Sequence, residues 1–251
     1  MSAAAAPFEN TNKQPTRKPA MQLAIEAPPL HTLSIAGREE RFPVNRVFCV
    51  GRNYAAHARE MGHDPDRDPP FFFMKPAQAV VDAANPVSLP YPPMTSNFHH
   101  EVELVVAIAR GGRDISVAQA LEHVYGYAVG LDMTRRDLQL AARDKGRPWE
   151  FGKSFAGSAP IGALHRAQDL GHPAQAAIAL AVNGQPRQAS DIGLLIWSVA
   201  ECLACLSRYE TLEPGDLLMT GTPEGVNAVQ PGDVMQASIE GLGRIHVSVE
   251  G

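Results

Sequence analysis

The sequence is poor in cysteine, lacks any long basic run and has no long hydrophobic run. Its three cysteines, Cys49, Cys202 and Cys205, cannot form a disulfide framework, and no second cysteine pair completes a zinc site. We therefore expect buried thiols in a cytoplasmic protein. The net charge of −5 argues against nucleic acid or an anionic membrane surface as the main partner. No apolar run approaches the length of a membrane span.

The sequence also lacks an internal repeat and the glycine fingerprint of dinucleotide-binding folds. Residues 1–20 are polar and small, without the apolar core of a secretory signal, and we expect them to form a disordered tail. Residues 21–42 contain turn signals between short apolar runs and predict a small N-terminal β element. The length of 251 residues is enough for one large domain or two small ones.

The most informative stretch is residues 99–106, which read HHEVELVV. Because side chains alternate between the faces of a strand, Glu101 and Glu103 are predicted to share one face while Val102 and Leu104 fill the other. Two carboxylates on one apolar face repel each other, and a divalent cation such as Mg²⁺, Mn²⁺ or Ca²⁺ would remove this cost. The alternative is a solvated strand face that carries two acids.

Asp132 stands at a predicted strand-to-helix junction, after the strand-like residues 125–131. An aspartate in this place is either the N-cap of the following helix, which is its common use, or a third carboxylate ligand of a metal. The sequence leaves both possibilities open.

A short helix is predicted after Gly51, capped by Asn53 and ended by Gly62. On this helix His57 and Glu60 are i, i+3 neighbours. A carboxylate beside an imidazole fixes its tautomer and raises its basicity, as a general base requires. The alternative is an ordinary surface pair. Because a polar, proline-rich loop follows, this helix is a candidate lid.

Two lysines stand among aromatic residues. Lys75 lies in the strand-like FFFMKP and is either close to an anionic ligand or only snorkels from a strand core. Lys153 lies in PWEFGKSF and either stabilises a developing negative charge or is a surface lysine on an edge strand. The loop TGTPEG offers backbone N–H groups and the Thr222 hydroxyl to an anion, although such turns are common.

Seven strings in a fixed order resemble the fumarylacetoacetate hydrolase superfamily. They are CVGRNYAAHAREMG (49–62), FFFMKP (71–76), NFHHEVELVV (97–106), GYAVGLDMTRRDLQ (126–139), GRPWEFGKSF (146–155), VNGQPRQ (182–188) and GDLLMTGTPEGV (215–226). The resemblance covers nearly everything from residue 43 onward. The strings GRNYAAHAREMG, LDMTRRDLQ and GRPWE are most similar to the fumarylpyruvate hydrolase and acylpyruvase branch.

The resemblance implies a mixed α/β, mainly β fold with a β-sandwich or β-roll core and short flanking helices, usually in a homodimer. It makes residues 43–251 the catalytic domain and implies a Mg²⁺ or Mn²⁺ site. The residues that match the family's site positions are the metal ligands Glu101, Glu103 and Asp132, the catalytic pair His57 and Glu60, the active-site lysine Lys153, and the substrate or lid contacts Arg52, Lys75, Gln139 and Thr222.

The activity implied is hydrolysis of the carbon–carbon bond of a 3-acylpyruvate, most similar to the conversion of fumarylpyruvate to fumarate and pyruvate in aromatic degradation. The residues suit this chemistry, because a metal can polarise the oxo acid, His57 can deprotonate a water, and Lys153 can stabilise an enolate. The alternatives are acylpyruvase activity, oxaloacetate decarboxylation or dienoate isomerisation on the same scaffold, and a non-catalytic metal-binding protein.

Overall fold

The computed structural model describes residues 22–60 and 68–251, apart from the side chains of residues 58–60. Within this part of the chain, the strands are β1 (Thr32–Ser34), β2 (Arg41–Pro43), β3 (Arg46–Gly51), β4 (Phe71–Pro76), β5 (Val80–Asp82), β6 (Val87–Pro90), β7 (Phe98–His99), β8 (Val102–Ile108), β9 (Val124–Leu131), β10 (Thr134–Arg135), β11 (Ala159–Ile161), β12 (His165–Arg166), β13 (Ala177–Val182), β14 (Gln185–Asp191), β15 (Leu217–Met219), β16 (Ala228–Val229), β17 (Val234–Ile239) and β18 (Gly243–Glu250).

The α-helices in the same residues are α1 (Ala55–Glu60), α2 (Arg136–Asp144), α3 (Glu150–Lys153), α4 (Ala167–Leu170) and α5 (Val199–Tyr209). Short 3₁₀ helices occur at Ala77–Ala79, Ala120–His123 and Ile192–Leu194. Strands therefore dominate, and the predicted mainly β fold with a few short helices is confirmed.

The largest sheet has eight strands and is curled. Seven of them follow the order β4-β3-β15-β8-β9-β11-β5, and β12 pairs with β9. The central strand β8 is antiparallel to both of its neighbours, β9 and β15. This arrangement places the ends of β8 and β9, which carry the predicted metal ligands, next to each other.

A second sheet of five strands has the order β14-β13-β17-β18-β6. Its β13–β14 hairpin turns at Asn183 and Gly184, which both have positive φ, of 51° and 75°. The sequence predicts a hairpin here, because an Asn-Gly pair favours a type I′ turn. The structure confirms it, since both angles have the positive sign that this turn requires. Two smaller sheets complete the fold, the pair β1–β2 and the three strands β10-β7-β16.

Strand β8 is buried on both faces and contributes to two hydrophobic cores. Val102 and Leu104 lie in a core shared with the five-stranded sheet and α5. Val105 lies in the other core, together with Leu33 and Phe42 of the N-terminal hairpin. The alternation expected of a strand is therefore present, and it places Glu103 on the face opposite Val102 and Leu104.

Two predicted helices differ from the structure. The sequence predicts a helix from Ser116 to about Val124, but the structure has only a 3₁₀ turn at Ala120–His123. The sequence also predicts a helix from Ile192 to about Ser207. That helix starts later, at Val199, because Ser198 and Glu201 form a capping box that begins α5 there. The Ser-x-x-Glu spacing was a signal for this boundary in the sequence.

Asn53 does not cap α1. Its side-chain amide instead donates to the backbone oxygens of Trp197 and Thr220, both at 2.9 Å, and its Oδ1 accepts from the Trp197 N–H at 2.8 Å. These bonds attach the segment before α1 to the segment before α5 and to the loop after β15. Gly62, the predicted end of the helix, lies outside the described residues.

The antiparallel pair β1–β2 lies in and just after the predicted N-terminal β element of residues 21–42. The predicted tail, residues 1–20, lies outside the described residues, and the division of the chain into domains stays a prediction. Among the described residues, no helix is long and apolar enough to cross a membrane.

Candidate active site

Three buried carboxylates meet where β8 begins and β9 ends. Glu101 directly precedes β8, Glu103 is its second residue, and Asp132 directly follows β9. The two strands hold the acids together, because Val102 pairs with Leu131 and the Asp132 N–H donates to the Glu101 carbonyl at 2.8 Å. One oxygen from each carboxylate lies within 4.8 Å of the other two.

This geometry decides between the alternatives that the sequence left open. Glu101 and Glu103 are 5% and 2% exposed, so they do not form a solvated strand face. Asp132 is 1% exposed and does not cap a helix, because α2 begins at Arg136 with Arg135 in the N-cap position. The predicted convergence of the three acids is therefore present in the structure.

Lys153 joins two of the acids. Its Nζ donates to Glu101 Oε2 and to Asp132 Oδ2, each at 2.7 Å. The side chain is buried at the end of the short helix α3, so the alternative of a surface lysine on an edge strand is wrong. Gly152 allows α3 to pack closely against α2, because a Cβ at this residue would lie only 2.8 Å from the backbone nitrogen of Gln139.

Arg136 holds Glu101 from the other side and was missed by the sequence analysis. Its Nη2 donates to Glu101 Oε1, and its Nη1 donates to Gln139 Oε1 at 2.5 Å. The available signal was its i, i+3 spacing to Gln139 within the LDMTRRDLQ string. Glu101 therefore receives two charge-assisted hydrogen bonds, one on each oxygen.

The charges of the cluster shift its pKa values in opposite directions. Burial alone would raise the pKa of Glu101, but the cations of Lys153 and Arg136 outweigh it and hold that pKa well below its ordinary value. Burial, followed by the charges of Asp132 and Glu101, raises the pKa of Glu103 well above its ordinary value. Burial lowers the pKa of Lys153, but Asp132 and Glu101 outweigh it and raise that pKa.

The donor set fits a hard divalent cation. Three carboxylates from buried positions offer oxygen ligands, the type that Mg²⁺ and Mn²⁺ prefer. Glu103 is held in place by the Gly221 N–H, which donates to its Oε2 at 2.7 Å. Asp132 Oδ1 is buried without a hydrogen bond, although Lys75 Nζ lies 2.9 Å away at ion-pair distance. Asp132 Oδ1 is therefore available to coordinate a metal ion.

Lys75 lies behind Asp132 rather than in the cleft that the described residues line. Besides its ion pair with Asp132, its Nζ donates to Ser158 Oγ at 2.9 Å and to the Lys153 carbonyl. The side chain is fully buried, so the alternative of a snorkelling lysine is wrong. Lys75 therefore holds Asp132 and the end of α3 in place. This geometry does not support the predicted contact between Lys75 and substrate.

The acids open into a cleft that most of the other predicted site residues also line. Its lining includes Arg52, His57, Gln139, Lys153 and Thr222 together with the three carboxylates. His57 is 6% exposed on α1, and its charge is among the influences that lower the pKa of Glu101. The side chain of Glu60, its predicted partner, lies outside the described part of the chain.

The lining of the cleft also includes two arginines, Arg52 and Arg143, and a set of aromatic rings. Arg52 has a left-handed backbone, with φ of 59°, and its guanidinium lies 5.0 Å above the ring of Phe71. Burial and the charge of Arg143 lower the pKa of Arg52. Arg143 was not predicted from the sequence, and it lies seven residues beyond Arg136 on the same helix. Two cations that repel each other in a cleft favour an anion between them.

The curled sheet and the carboxylate–lysine cluster define a mainly β enzyme with its chemistry at the paired ends of two central strands. The chain belongs to the fumarylacetoacetate hydrolase family, since the family model described as fumarylacetoacetate (FAA) hydrolase C-terminal matches residues 46–250. The predicted family and the predicted class, a hydrolase acting on carbon–carbon bonds, are confirmed at this level.

Individual relatives are similar over most of the chain. A fumarylpyruvate hydrolase of Ralstonia sp is 49% identical over 191 residues, which are 75% of this chain and 98% of the relative. The crystal structure of fumarylpyruvate hydrolase from Pseudomonas aeruginosa in complex with Mn²⁺ and pyruvate is 57% identical, with a TM-score of 0.88, and the match covers 91% of this chain and 99% of that one. The mitochondrial oxaloacetate tautomerase of Homo sapiens is 39% identical over 81% of this chain and 91% of the relative.

Proposed function

We propose that this protein hydrolyses the carbon–carbon bond of a 3-acylpyruvate and that fumarylpyruvate is its main substrate. The observation that carries the proposal is the cluster of three buried carboxylates, two of which are joined by Lys153, in a cleft that His57 also lines. The similarity to fumarylpyruvate hydrolases of Ralstonia sp and Pseudomonas aeruginosa supports the choice of substrate.

Glu101, Glu103 and Asp132 would hold Mg²⁺ or Mn²⁺, which when bound supplies Lewis-acid polarisation of the 2-oxo acid. His57 takes a proton from a water, with Glu60 as its predicted partner, and the water oxygen attacks the carbonyl of the acyl group. The bond between that carbonyl carbon and the pyruvate methylene then breaks, and its electron pair becomes the pyruvate enolate. The ammonium of Lys153 stabilises this negative charge, and protonation at carbon gives pyruvate.

The two arginines favour a substrate with a carboxylate at each end. Fumarylpyruvate has one carboxylate beside the 2-oxo group and a second at the far end of the fumaryl chain. With the first near the carboxylate–lysine cluster, the second extends along the cleft toward Arg52 and Arg143, both of which line it. Acetylpyruvate has no second carboxylate, so this contact would discriminate between the two substrates.

A second candidate is the tautomerisation of oxaloacetate. Its support is the similarity to mitochondrial oxaloacetate tautomerases and the fact that oxaloacetate also carries two carboxylates. Proton transfer by His57 between carbon and oxygen would suffice for this reaction, without attack by water. Oxaloacetate decarboxylation and dienoate isomerisation stay as alternatives on the same site.

The experiment is a substrate panel with the purified full-length protein and Mg²⁺ or Mn²⁺. Loss of the enol absorbance of fumarylpyruvate, with pyruvate measured by a coupled dehydrogenase, supports hydrolysis. The Glu103→Gln variant should lose this activity, while Glu240→Gln, a change at an exposed glutamate, should keep it. A protein that changes only the keto–enol ratio of oxaloacetate and releases no pyruvate from acylpyruvates would replace the first proposal by the second.

Two further expectations belong to the same proposal. We propose that the protein is a homodimer, which size-exclusion chromatography with light scattering tests, and that it acts in the cytoplasm. The preferred cation among Mg²⁺, Mn²⁺ and Ca²⁺ is tested by adding each to protein treated with a chelator and measuring the recovered rate.

A further inference from the structure

Gln188 is a buried residue on a strand whose neighbouring positions, Arg187 and Ala189, are exposed. Its side chain lies between the start of β8 and the loop that follows β15. It is 1% exposed. A buried amide at such a place needs hydrogen bonds at both its oxygen and its nitrogen.

All four polar contacts of this amide are present. Gln188 Oε1 lies 2.9 Å from His100 Nδ1 and 3.2 Å from the backbone nitrogen of Val102. Gln188 Nε2 lies 2.8 Å from Thr222 Oγ1 and 2.8 Å from the backbone oxygen of Pro223. The amide therefore connects His100 and Val102, on either side of Glu101, with Thr222 and Pro223 in the loop after β15.

Two of these contacts fix the orientation of the amide. The Val102 N–H can only donate, so it must face the amide oxygen. The Pro223 carbonyl can only accept, so it must face the amide nitrogen. If the amide were flipped, its nitrogen would face the Val102 N–H and its oxygen would face the Pro223 carbonyl. Both hydrogen bonds would then be lost in a buried site, where each unmade bond is costly.

The fixed amide in turn fixes two side chains. Because Gln188 Oε1 accepts, His100 carries its hydrogen on Nδ1. Because Gln188 Nε2 donates, Thr222 Oγ1 must accept, and the single hydrogen of the Thr222 hydroxyl points away from Gln188. Thr222 lines the cleft, so this hydrogen is available to a ligand there.

We infer that Gln188 is a positioning residue that makes the Thr222 hydroxyl a hydrogen-bond donor toward a carboxylate oxygen of the bound oxo acid. Without the Gln188 amide, the hydroxyl could rotate and present its lone pairs, which repel a carboxylate. The inference rests on the proposed function for the identity of the ligand, because an oxo acid supplies the carboxylate.

The test uses variants that reverse the polarity at position 188. In Gln188→Glu the new carboxylate can only accept, so the Thr222 hydroxyl turns to donate to it and is lost to the cleft. Gln185→Glu introduces the same charge at an exposed position of the same strand and is the matched control. Binding of pyruvate to the Mn²⁺-loaded proteins is measured by calorimetry, and KM and kcat are measured separately with fumarylpyruvate.

We expect Gln188→Glu to weaken pyruvate binding by about 10-fold, the usual range for a lost hydrogen bond to a charged group, and to raise KM more than it lowers kcat. Thr222→Val should cost about the same, and the double variant should cost little more than either alone, because both remove one interaction. Thr222→Ser keeps the hydroxyl and should retain most of the binding. Gln185→Glu should bind as the unchanged protein does.

The coupling between the two positions decides the outcome. If Gln188→Glu weakens binding by the same factor in the Thr222→Val background, Gln188 acts through general structure and the inference is overturned. If Gln188→Glu does not fold, Gln188→Met removes both donor and acceptor and should show the same dependence on Thr222. Coupled pyruvate binding without acylpyruvate hydrolysis would support this inference while contradicting the proposed activity, and hydrolysis without coupling would do the reverse.

Discussion

Replacing Glu103 by glutamine tests the carboxylate cluster with almost no change of shape. The amide oxygen can still accept the hydrogen bond from Gly221, which reaches Glu103 Oε2 at 2.7 Å. One negative charge is removed from a site where burial and two further acids, Asp132 and Glu101, oppose the ionised form. The metal-free variant should therefore be at least as stable as the metal-free parent, since a repulsion has gone.

The gain in stability on binding a metal ion, in contrast, should be smaller in Glu103→Gln than in the parent. A cation that binds only the folded state stabilises it by about 2.7 kcal/mol when its concentration is 100 times Kd. For a chain of this size each kcal/mol raises Tm by roughly 2–4 °C, so the parent should gain about 5–10 °C in Mn²⁺. Loss of one of three charged ligands should leave Glu103→Gln with little of this gain.

The assay is thermal unfolding of chelator-treated protein, with and without Mn²⁺, followed by fluorescence. Glu240→Gln, which changes an exposed glutamate, should show the full metal-dependent rise. A Glu103→Gln variant that keeps the whole rise in Tm would refute the assignment of the metal to this cluster. A variant that is much less stable than the parent without metal would refute the view that the three acids repel each other.

Further predictions concern the lysine, the distal arginine and the core. Lys153→Met should lower kcat for acylpyruvate hydrolysis by roughly 10²–10³ because it removes a preorganised charge, while Lys145→Met, at an exposed position, should have little effect; steady-state kinetics measures both. Arg143→Ala should raise KM for fumarylpyruvate by about 10-fold and leave KM for acetylpyruvate nearly unchanged, and equal effects on both substrates would contradict a distal carboxylate contact. Leu104→Ala should lower the free energy of unfolding by about 2–5 kcal/mol in urea titrations, because Leu104 is 1% exposed in the core between the two main sheets.

The parts of the fold that could be predicted from the sequence are those with a strong local pattern. Strand β8 has strict alternation across its two faces, and this alone placed Glu101 and Glu103 on one face. The β13–β14 hairpin follows from Asn183 and Gly184, which tolerate the positive φ that the turn requires. In both cases the information lies within a few consecutive residues.

The parts that could not be predicted depend on contacts between distant segments. Asn53 resembles a helix cap in the sequence, but its amide is used by Trp197 and Thr220, more than 140 residues away. Lys75 resembles a ligand-binding lysine, and only the tertiary structure shows that it lies behind Asp132. Gln188 has no local signal of its own, because its role depends on two backbone groups from other strands and loops.

The charges around the cluster explain why a cation and an anionic ligand belong together in this site. Among the described residues, two of the three carboxylates, Glu101 and Asp132, contact the buried cations of Lys75, Lys153 and Arg136 at hydrogen-bond or ion-pair distance. With all three acids ionised these charges balance, so a bound divalent ion adds two positive charges to a buried place. A net buried charge is costly, and the carboxylate that an oxo acid carries beside its 2-oxo group cancels part of it. The same balance makes a neutral ligand a poor substitute, because it leaves the added charge uncompensated.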